Sequence, residues 1–439
     1  MCDFCDETAQ VYTLGNLAKM VDEVFSSYYV MSFPKPPDYR QDGQSSTQAI
    51  MHAAGIPENA AKQIREILEN WYYVSIYDGE AIPYSKDTYY IEAPIDTDEL
   101  EKQWLEFERM LKSEARFFNT RGYELLESIF SAINTLPVKG ERSTIVKAGP
   151  GLEISQLYRA RVFQSEEKLK DALASPVVEL GPPPSQLAVA GRMNAQGIAV
   201  FYGADTPETA IAEVRPPVGS EVVVTRFDIL KTLNLLDLTA FQDLLPKGSL
   251  FDLAFNETVR KAKFLKNLSD QMAKPIMPDD QAQQYLITQA IADFLSFHAD
   301  LQLDGIIYPS VQIEHSGVNI MLFNKSSSVI PDKHADNIRL YVNVREYASD
   351  EFVKMYSVTE KKINKEIMAV IRRVDPFSGL FSHSNTQYYH DHRKPVLRLD
   401  NESIKVHVIR GVSFSKTTYS VNRISIEDTN EDDIQDLPW

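Results

Sequence analysis

The stretch GRMNAQGIAVFYGADTPETAIAEV, residues 191–214, carries three residue types that could do chemistry within one short unit. Arg192 offers a planar cation that binds anions in a forked geometry. Tyr202 offers an aromatic ring, and Glu213 offers a carboxylate that can stabilise positive charge as it develops in a reaction. Whether these side chains meet in one site depends on the elements that carry them.

Local signals in this stretch predict a strand followed by a helix. Thr206 is a favoured N-cap type, Pro207 suits the first helical position, and Glu208 follows where the helix dipole favours an acid. Two prolines directly after residue 215 end the helix. A strand over IAVFYGA therefore delivers Tyr202 at its end, and the helix carries Glu213 about two turns in, among apolar residues.

Spacing alone also allows purely structural explanations of the same residues. Glu213 could be a surface carboxylate paired with a neighbouring arginine, Arg192 a loop salt bridge, and Tyr202 part of the strand core. No GxGxxG follows a strand and no GxxxxGK[ST] occurs, so Rossmann and P-loop nucleotide binding are not supported. Composition and periodicity do not decide between a structural and a functional role.

Length and charge restrict the class of protein. The 439 residues suffice for two or three domains, and 44% hydrophobic with 24% charged residues is typical of soluble globular proteins. A net charge of −17 repels a phosphate backbone, so we expect no nucleic-acid partner, although converging arginines can still attract a small anion. No apolar run approaches the roughly 20 residues of a membrane helix, so no membrane partner is expected either.

Cysteine usage indicates a reducing compartment. The only two cysteines, Cys2 and Cys5, lie at the extreme N-terminus. The sequence also lacks the positively charged start and following apolar core of a secretory signal. We therefore expect a cytoplasmic protein. The pair forms half of a zinc pattern, but a structural zinc site needs four ligands and no second C-x-x-C exists. His390 and His392 have an unusual spacing for the missing half, and we predict no metal site.

Hydrophobic periodicity predicts an α+β fold in three parts. Residues 1–140 show helical spacing and predict a helical N-terminal domain, followed by a polar, glycine-bearing boundary at residues 137–151. Residues 150–330 alternate short strands with helices and predict a mixed α/β domain. Residues 331–439 predict a β-containing extension of unknown role, with a helix over KMYSVTEKKINKEIMAVIRRV and a hairpin across Asp400 and Asn401.

Three separated segments together resemble the RES domain, a bacterial family named for an arginine, a glutamate and a serine. The segments are LYRARV (157–162), residues 191–214 quoted above, and DGIIYPSVQIEHSGVNIMLF (304–323). They carry an arginine, Gly-Arg-x-Asn, a strand tyrosine, a helix glutamate and Tyr-Pro-Ser in the family's order and spacing. The resemblance covers about residues 150–330 and implies a fold similar to that of ADP-ribosyltransferase toxins.

The resemblance implies cleavage of the nicotinamide–ribose bond of NAD⁺, with water or phosphate as the acceptor. NAD⁺ is then a substrate, phosphate a possible co-substrate, and no bound cofactor is expected. The implied catalytic residues are Glu213, Arg159 and Ser310; the implied substrate-binding residues are Arg192, Tyr202, Arg161 and Asn194. Arg161 lies two residues from Arg159, so both would face the same side of a strand, and either is a candidate for the main arginine.

The helices before this domain resemble the HEPN-type N-terminal domain that some RES proteins carry. HEPN ribonucleases need a histidine a few residues after an arginine, yet after Arg116 and Arg121 the next histidine is His298, so we expect no RNase chemistry. These helices are instead expected to regulate or dimerise the RES domain. The family also implies a toxin of a toxin–antitoxin or defence module, with an antitoxin protein as partner.

Two further hypotheses retain the same pocket. The enzyme could transfer ADP-ribose to a macromolecule, in which case the label would appear on a protein or nucleic acid rather than in free ADP-ribose. Alternatively, the domain could be an inactive NAD-binding regulatory module, which would bind NAD⁺ and release no nicotinamide. The product of the reaction distinguishes the three hypotheses.

Overall fold

The computed structural model describes residues 12–33, 42–73, 82–313, 317–331, 338–348, 352–362, 392–413 and 415–421. Within these residues no helix has both the length and the apolar character needed to cross a membrane. The helices are α1 (Leu14–Tyr28), α2 (Ser46–Ala54), α3 (Glu58–Tyr72), α4 (Asp98–Ser113), α5 (Thr120–Phe130), α6 (Glu166–Ala174), α7 (Pro176–Leu180), α8 (Pro207–Glu213), α9 (Leu253–Ala273) and α10 (Gln281–Phe297). The strands are β1 (Tyr29–Ser32), β2 (Gln44–Ser45), β3 (Tyr89–Glu92), β4 (Ile145–Ala148), β5 (Gln156–Phe163), β6 (Phe201–Ala204), β7 (Glu221–Ile229), β8 (Leu233–Asp237), β9 (Gly305–Pro309), β10 (Val318–Leu322), β11 (Ile338–Ala348), β12 (Phe352–Lys362) and β13 (Leu397–Val408).

The first part of the chain packs α1, α2 and α3 against a small antiparallel sheet. Apolar residues at helical spacing, among them Phe25, Ile64 and Leu68, are buried together with Tyr84 and Tyr90. β3 pairs with both β1 and β2. The predicted helices are present, but the sheet was not predicted, because strands of two to four residues carry too little alternation to be recognised.

α4 and α5 share a core with the following α/β part. Trp104, Phe107 and Ile129 belong to one buried cluster with Phe264 of α9 and Leu295 of α10. The rings of Trp104 and Phe264 lie 5.7 Å apart in an edge-on arrangement. The core therefore continues across residues 137–151, where the sequence predicts a domain boundary, and that division of the chain stays a prediction.

Two helical glycines in this part should respond in opposite ways to alanine. A Cβ on Gly122 of α5 would meet the buried Phe107 ring at 2.9 Å, whereas a Cβ on Gly15 of α1 meets nothing within 4 Å. We expect Gly122→Ala to destabilise the protein by about 1–3 kcal/mol through overpacking. Gly15→Ala should stabilise it by about 0.5 kcal/mol through helix propensity. Urea unfolding of both variants measures this; destabilisation by Gly15→Ala of the same size would contradict the packing argument.

The central element is an eight-stranded sheet in the order β13-β7-β5-β6-β10-β9-β8-β4. Neighbouring strands are antiparallel except β8 and β9, which are parallel and are joined through α9 and α10. One face buries Leu157, Phe201 and Phe227 under α6 and α7. The opposite face packs against α8, α9 and α10. Helices thus cover both faces, as a mixed α/β layer requires, and the architecture agrees with the predicted α+β class.

The C-terminal strands differ from their sequence-based predictions. Residues 354–362, predicted as the start of a helix, belong to β12, which pairs with β11 over its full length. The rest of the predicted helix lies outside the described residues. Eleven consecutive pairings with a distant strand outweigh the local helical period, which is why the helix prediction was wrong.

The hairpin predicted across Asp400 and Asn401 is also wrong. The segment is one strand, β13, which pairs with β7 and carries a register shift between Asp400 and Lys405. Ser403 holds this bulge, because its hydroxyl donates to the Asp400 carbonyl at 2.7 Å and accepts from the Arg226 N–H at 2.9 Å. The extra residues are therefore absorbed as a bulge, and the strand continues along the edge of the sheet.

Candidate active site

A cavity of about 470 Å³ lies beside the C-terminal end of α8. Its volume falls within the range of small-molecule sites. Strands β5, β6, β9 and β10 and the end of α8 contribute its walls. Polar residues that line it include Arg159, Arg192, Tyr202, Glu213, Tyr308 and Asn319.

Glu213 enters this cavity from the last position of α8. As predicted, Thr206 caps the helix, accepting from the Thr209 N–H at 3.2 Å, and Pro207 occupies its first turn. Gly317, at φ +90°, lets the β9–β10 connection pass over the helix, since a Cβ there would meet the Thr209 hydroxyl at 2.5 Å. The helix start and the close loop together set the position at which the carboxylate emerges.

Two donors hold one oxygen of the Glu213 carboxylate. The Ser310 hydroxyl donates to Oε1 at 2.6 Å, and the Asn319 side-chain amide donates to the same oxygen at 2.7 Å. Oε2 has no hydrogen-bond partner among the described residues. A carboxylate at a helix C-terminus is disfavoured by the dipole, so the two donors offset that cost and also fix the orientation of the group. One oxygen is thus anchored and the other is available to a ligand in the cavity.

Removing either hydrogen-bond donor should lower activity indirectly, by releasing the Glu213 carboxylate from its fixed orientation. We expect Ser310→Ala and Asn319→Ala each to lower turnover about tenfold, the lower end for a hydrogen bond to a charged group. In a Glu213→Gln background the further loss should be small, because residues that act as a unit are not additive. The measurement is a double-mutant cycle on the rate of nicotinamide release; fully additive losses would contradict a positioning role.

Arg159 is a cavity cation without an acidic partner in the described part of the chain. It lies on β5 next to Tyr158, where β5 pairs with β6. Its guanidinium donates to the Tyr202 carbonyl at 3.4 Å and stands 5.1 Å from the centre of the Phe201 ring. Burial, followed by the nearby charge of Arg161, lowers the pKa of Arg159 to about 10, so the group stays protonated at neutral pH. A desolvated cation of this kind is stabilised when an anion binds in the cavity.

Arg161 lies on the same side of β5, as the period of two predicts, but outside the cavity. Its guanidinium donates to the Glu179 carboxylate at 2.6 Å and lies 5.6 Å from the centre of the Phe163 ring. Its charge is therefore already paired at the protein surface. Of the two candidate arginines, the structure brings only Arg159 to the cavity.

The loop that carries Arg192 is tied to the helices around the cavity. Arg192 donates to the Met272 carbonyl at 3.0 Å and to the Lys274 carbonyl, at the end of α9. Gln289 of α10 donates to the Gly191 carbonyl at 2.8 Å. Arg192 lines the cavity as expected, but the nitrogens that make these bonds are committed to backbone oxygens.

Asn194 braces this loop from inside and does not line the cavity. It is buried, and its amide donates to the Val189 and Ile198 carbonyls at 3.0 Å each. Its oxygen accepts from the Tyr202 hydroxyl at 2.9 Å, and that hydroxyl accepts from the Met193 N–H at 3.0 Å. Asn194 thus orients Tyr202, which lines the cavity, and the substrate contact expected of Asn194 stays a prediction.

Sequence reasoning missed Asn319 and Tyr308. Asn319 could have been recognised as a candidate site residue, because it is the polar residue inside the otherwise apolar strand VNIML. Tyr308 precedes the Pro-Ser of the third segment, and burial, followed by the neighbouring Tyr202 and Glu213, raises its pKa. Both side chains point to the cavity face because β9 and β10 pair Tyr308 with Asn319 directly.

A metal site finds no support in the described residues, where no group of three or more His, Cys, Asp or Glu side chains could hold an ion. Cys2, Cys5 and His390 lie outside these residues.

Residues 156–343 match the family model of the RES domain. The match begins at the first residue of β5, includes every element that walls the cavity and ends within β11. It supports the RES family for this part of the chain and is consistent with an NAD-related function of the toxin type. No curated protein and no solved structure matches the chain. The HEPN-type assignment of the N-terminal helices stays a prediction.

Proposed function

We propose that the protein cleaves the nicotinamide–ribose bond of NAD⁺ and transfers the ADP-ribosyl group to phosphate or water. One observation carries the proposal. The Glu213 carboxylate is anchored through Oε1, and its Oε2 has no hydrogen-bond partner among the described residues. The same cavity is lined by Arg159, which forms no ion pair with any described acid. Such a site has a fixed negative charge, which can stabilise developing positive charge, and a cation, which can bind an anionic ligand.

In the proposed reaction the bond between ribose C1′ and the nicotinamide nitrogen breaks, and its electron pair leaves with neutral nicotinamide. Positive charge then builds on C1′ and the ring oxygen. The fixed Glu213 carboxylate stabilises this charge, which exists only in the transition state. An oxygen of phosphate or water forms the new bond to C1′; with water, one proton is released to solvent. Products are nicotinamide and ADP-ribose 1″-phosphate, or nicotinamide and ADP-ribose.

The other side chains have supporting roles in this proposal. Arg159 binds the diphosphate, because guanidinium matches phosphate oxygens in a forked geometry. Tyr202 presents its ring to the nicotinamide or the ribose, since its hydroxyl is already bonded to Asn194. Ser310 and Asn319 keep the carboxylate oriented. The cellular role we propose is that of a toxin in a toxin–antitoxin or defence module, with a protein antitoxin that covers the cavity.

The test is to incubate the purified full chain with NAD⁺, with and without phosphate, and to identify the products by mass spectrometry. Free nicotinamide with ADP-ribose or its 1″-phosphate supports the proposal, and the comparison identifies the acceptor. ADP-ribose attached to an added protein or nucleic acid would favour the transferase instead. Binding of NAD⁺ without any nicotinamide release would indicate the regulatory module and would refute cleavage.

A further inference from the structure

Arg215 is a cavity residue that the proposed chemistry does not yet use. It follows Glu213 by two positions, lines the same cavity and is exposed to solvent. Across the described chain its guanidinium has neither an ion pair nor a hydrogen bond. An exposed arginine that lines a cavity and has no partner among the described residues is available to a ligand.

The backbone at Arg215 is one that arginine rarely adopts. Its φ is +45°, in the left-handed region, and its N–H donates to the Ala212 carbonyl at 3.1 Å at the end of α8. Glycine is the usual residue at such a helix end, since a Cβ disfavours this conformation. The following Pro216 restricts the residue before it further. A strained arginine at a position that suits glycine points to a use for its side chain.

The other two arginines that line the cavity already donate hydrogen bonds to backbone carbonyls. Arg159 is partly buried and donates to the Tyr202 carbonyl, and Nη1 and Nη2 of Arg192 are bonded to the carbonyls at the end of α9. Glu213 is the only acid among the described residues that line the cavity, so its walls carry more positive than negative charge. The excess attracts an anion, although the whole chain is strongly acidic.

We propose that Arg215 binds a phosphate group at the mouth of the cavity and thereby sets the preference of the site for phosphate-bearing ligands. The inference rests on the proposed function for the choice of ligand. The phosphate has two possible sources: the diphosphate of the dinucleotide, or the inorganic phosphate that accepts the ADP-ribosyl group. Both share the chemistry that a guanidinium fork recognises.

The test compares Arg215→Gly with a matched control, Gln302→Gly. Gln302 is exposed, lies outside the cavity and has a similar left-handed φ of +46°. Because glycine relieves the same backbone strain at both positions, both variants should keep or raise the melting temperature. Calorimetric titration with ADP-ribose and, separately, with inorganic phosphate then measures the side-chain contribution without requiring turnover.

We expect Arg215→Gly to weaken at least one of the two ligands about tenfold or more, Arg215→Lys to weaken it less, and Gln302→Gly to leave both unchanged. If only the affinity for ADP-ribose falls, Arg215 binds the diphosphate of the dinucleotide. If only the affinity for inorganic phosphate falls, Arg215 binds the acceptor phosphate. Unchanged affinity of Arg215→Gly for both, or no binding of either by the wild type, overturns the inference. Arg215-dependent binding without NAD⁺ cleavage would refute the proposed reaction and leave the phosphate site standing.

Discussion

Glu213→Gln is expected to lower the rate of nicotinamide release by a factor on the order of 10²–10³, the effect of losing one electrostatic contact made in the transition state. The amide keeps the shape and still accepts through its oxygen, so the Ser310 and Asn319 donors retain a partner. Only the charge is removed. Because the ground-state contacts are retained, the loss should appear in kcat more than in KM. Single-turnover measurement of nicotinamide release separates the two.

Glu208→Gln is the matched control for this substitution. Glu208 lies on the same helix, in its first turn, and is exposed outside the cavity. Its neutralisation should cost only a few tenths of a kcal/mol through the helix dipole and leave turnover unchanged. Wild-type turnover of Glu213→Gln, or equal losses in both variants, would show that the carboxylate does not act at the reacting centre.

Arg159→Lys is expected to weaken NAD⁺ binding by about 1–3 kcal/mol, or roughly 5- to 150-fold, on the scale of charge-assisted hydrogen bonds. Lysine keeps the charge but loses the fork that matches phosphate oxygens. It also loses the planar group that lies near the Phe201 ring. Titration of the Glu213→Gln protein with NAD⁺, with and without the arginine change, measures binding in the absence of turnover.

Arg161→Lys provides the control two residues away on the same strand. Its charge is paired with Glu179 outside the cavity, and a surface ion pair contributes about 0–1 kcal/mol. We expect no change in NAD⁺ affinity. If Arg161→Lys weakens binding and Arg159→Lys does not, the assignment of the main arginine is wrong.

Local sequence signals predicted correctly those elements whose structure depends on residues close by in the chain. The cap at Thr206, the proline at the first helical position and the end of α8 before the two prolines all depend on contacts within a few residues. The helices of the first 130 residues follow from apolar spacing in the same way. β12 and β13 instead depend on partners elsewhere in the chain, β11 and β7, and their local patterns suggested other structures.

The amino-acid sequence alone was enough to predict the residue types of the site, the helix that carries Glu213, and the common side of Arg159 and Arg161, because these follow from short-range periodicity. Which of the two arginines reaches the cavity depends on the folded chain, because Glu179 lies next to Arg161 through folding and not through spacing. Folding likewise brings Asn194 to the Tyr202 hydroxyl, and Asn319 and Ser310 to one carboxylate oxygen. Those contacts join residues about one hundred positions apart along the chain, or depend on how a loop closes, and no local pattern encodes them.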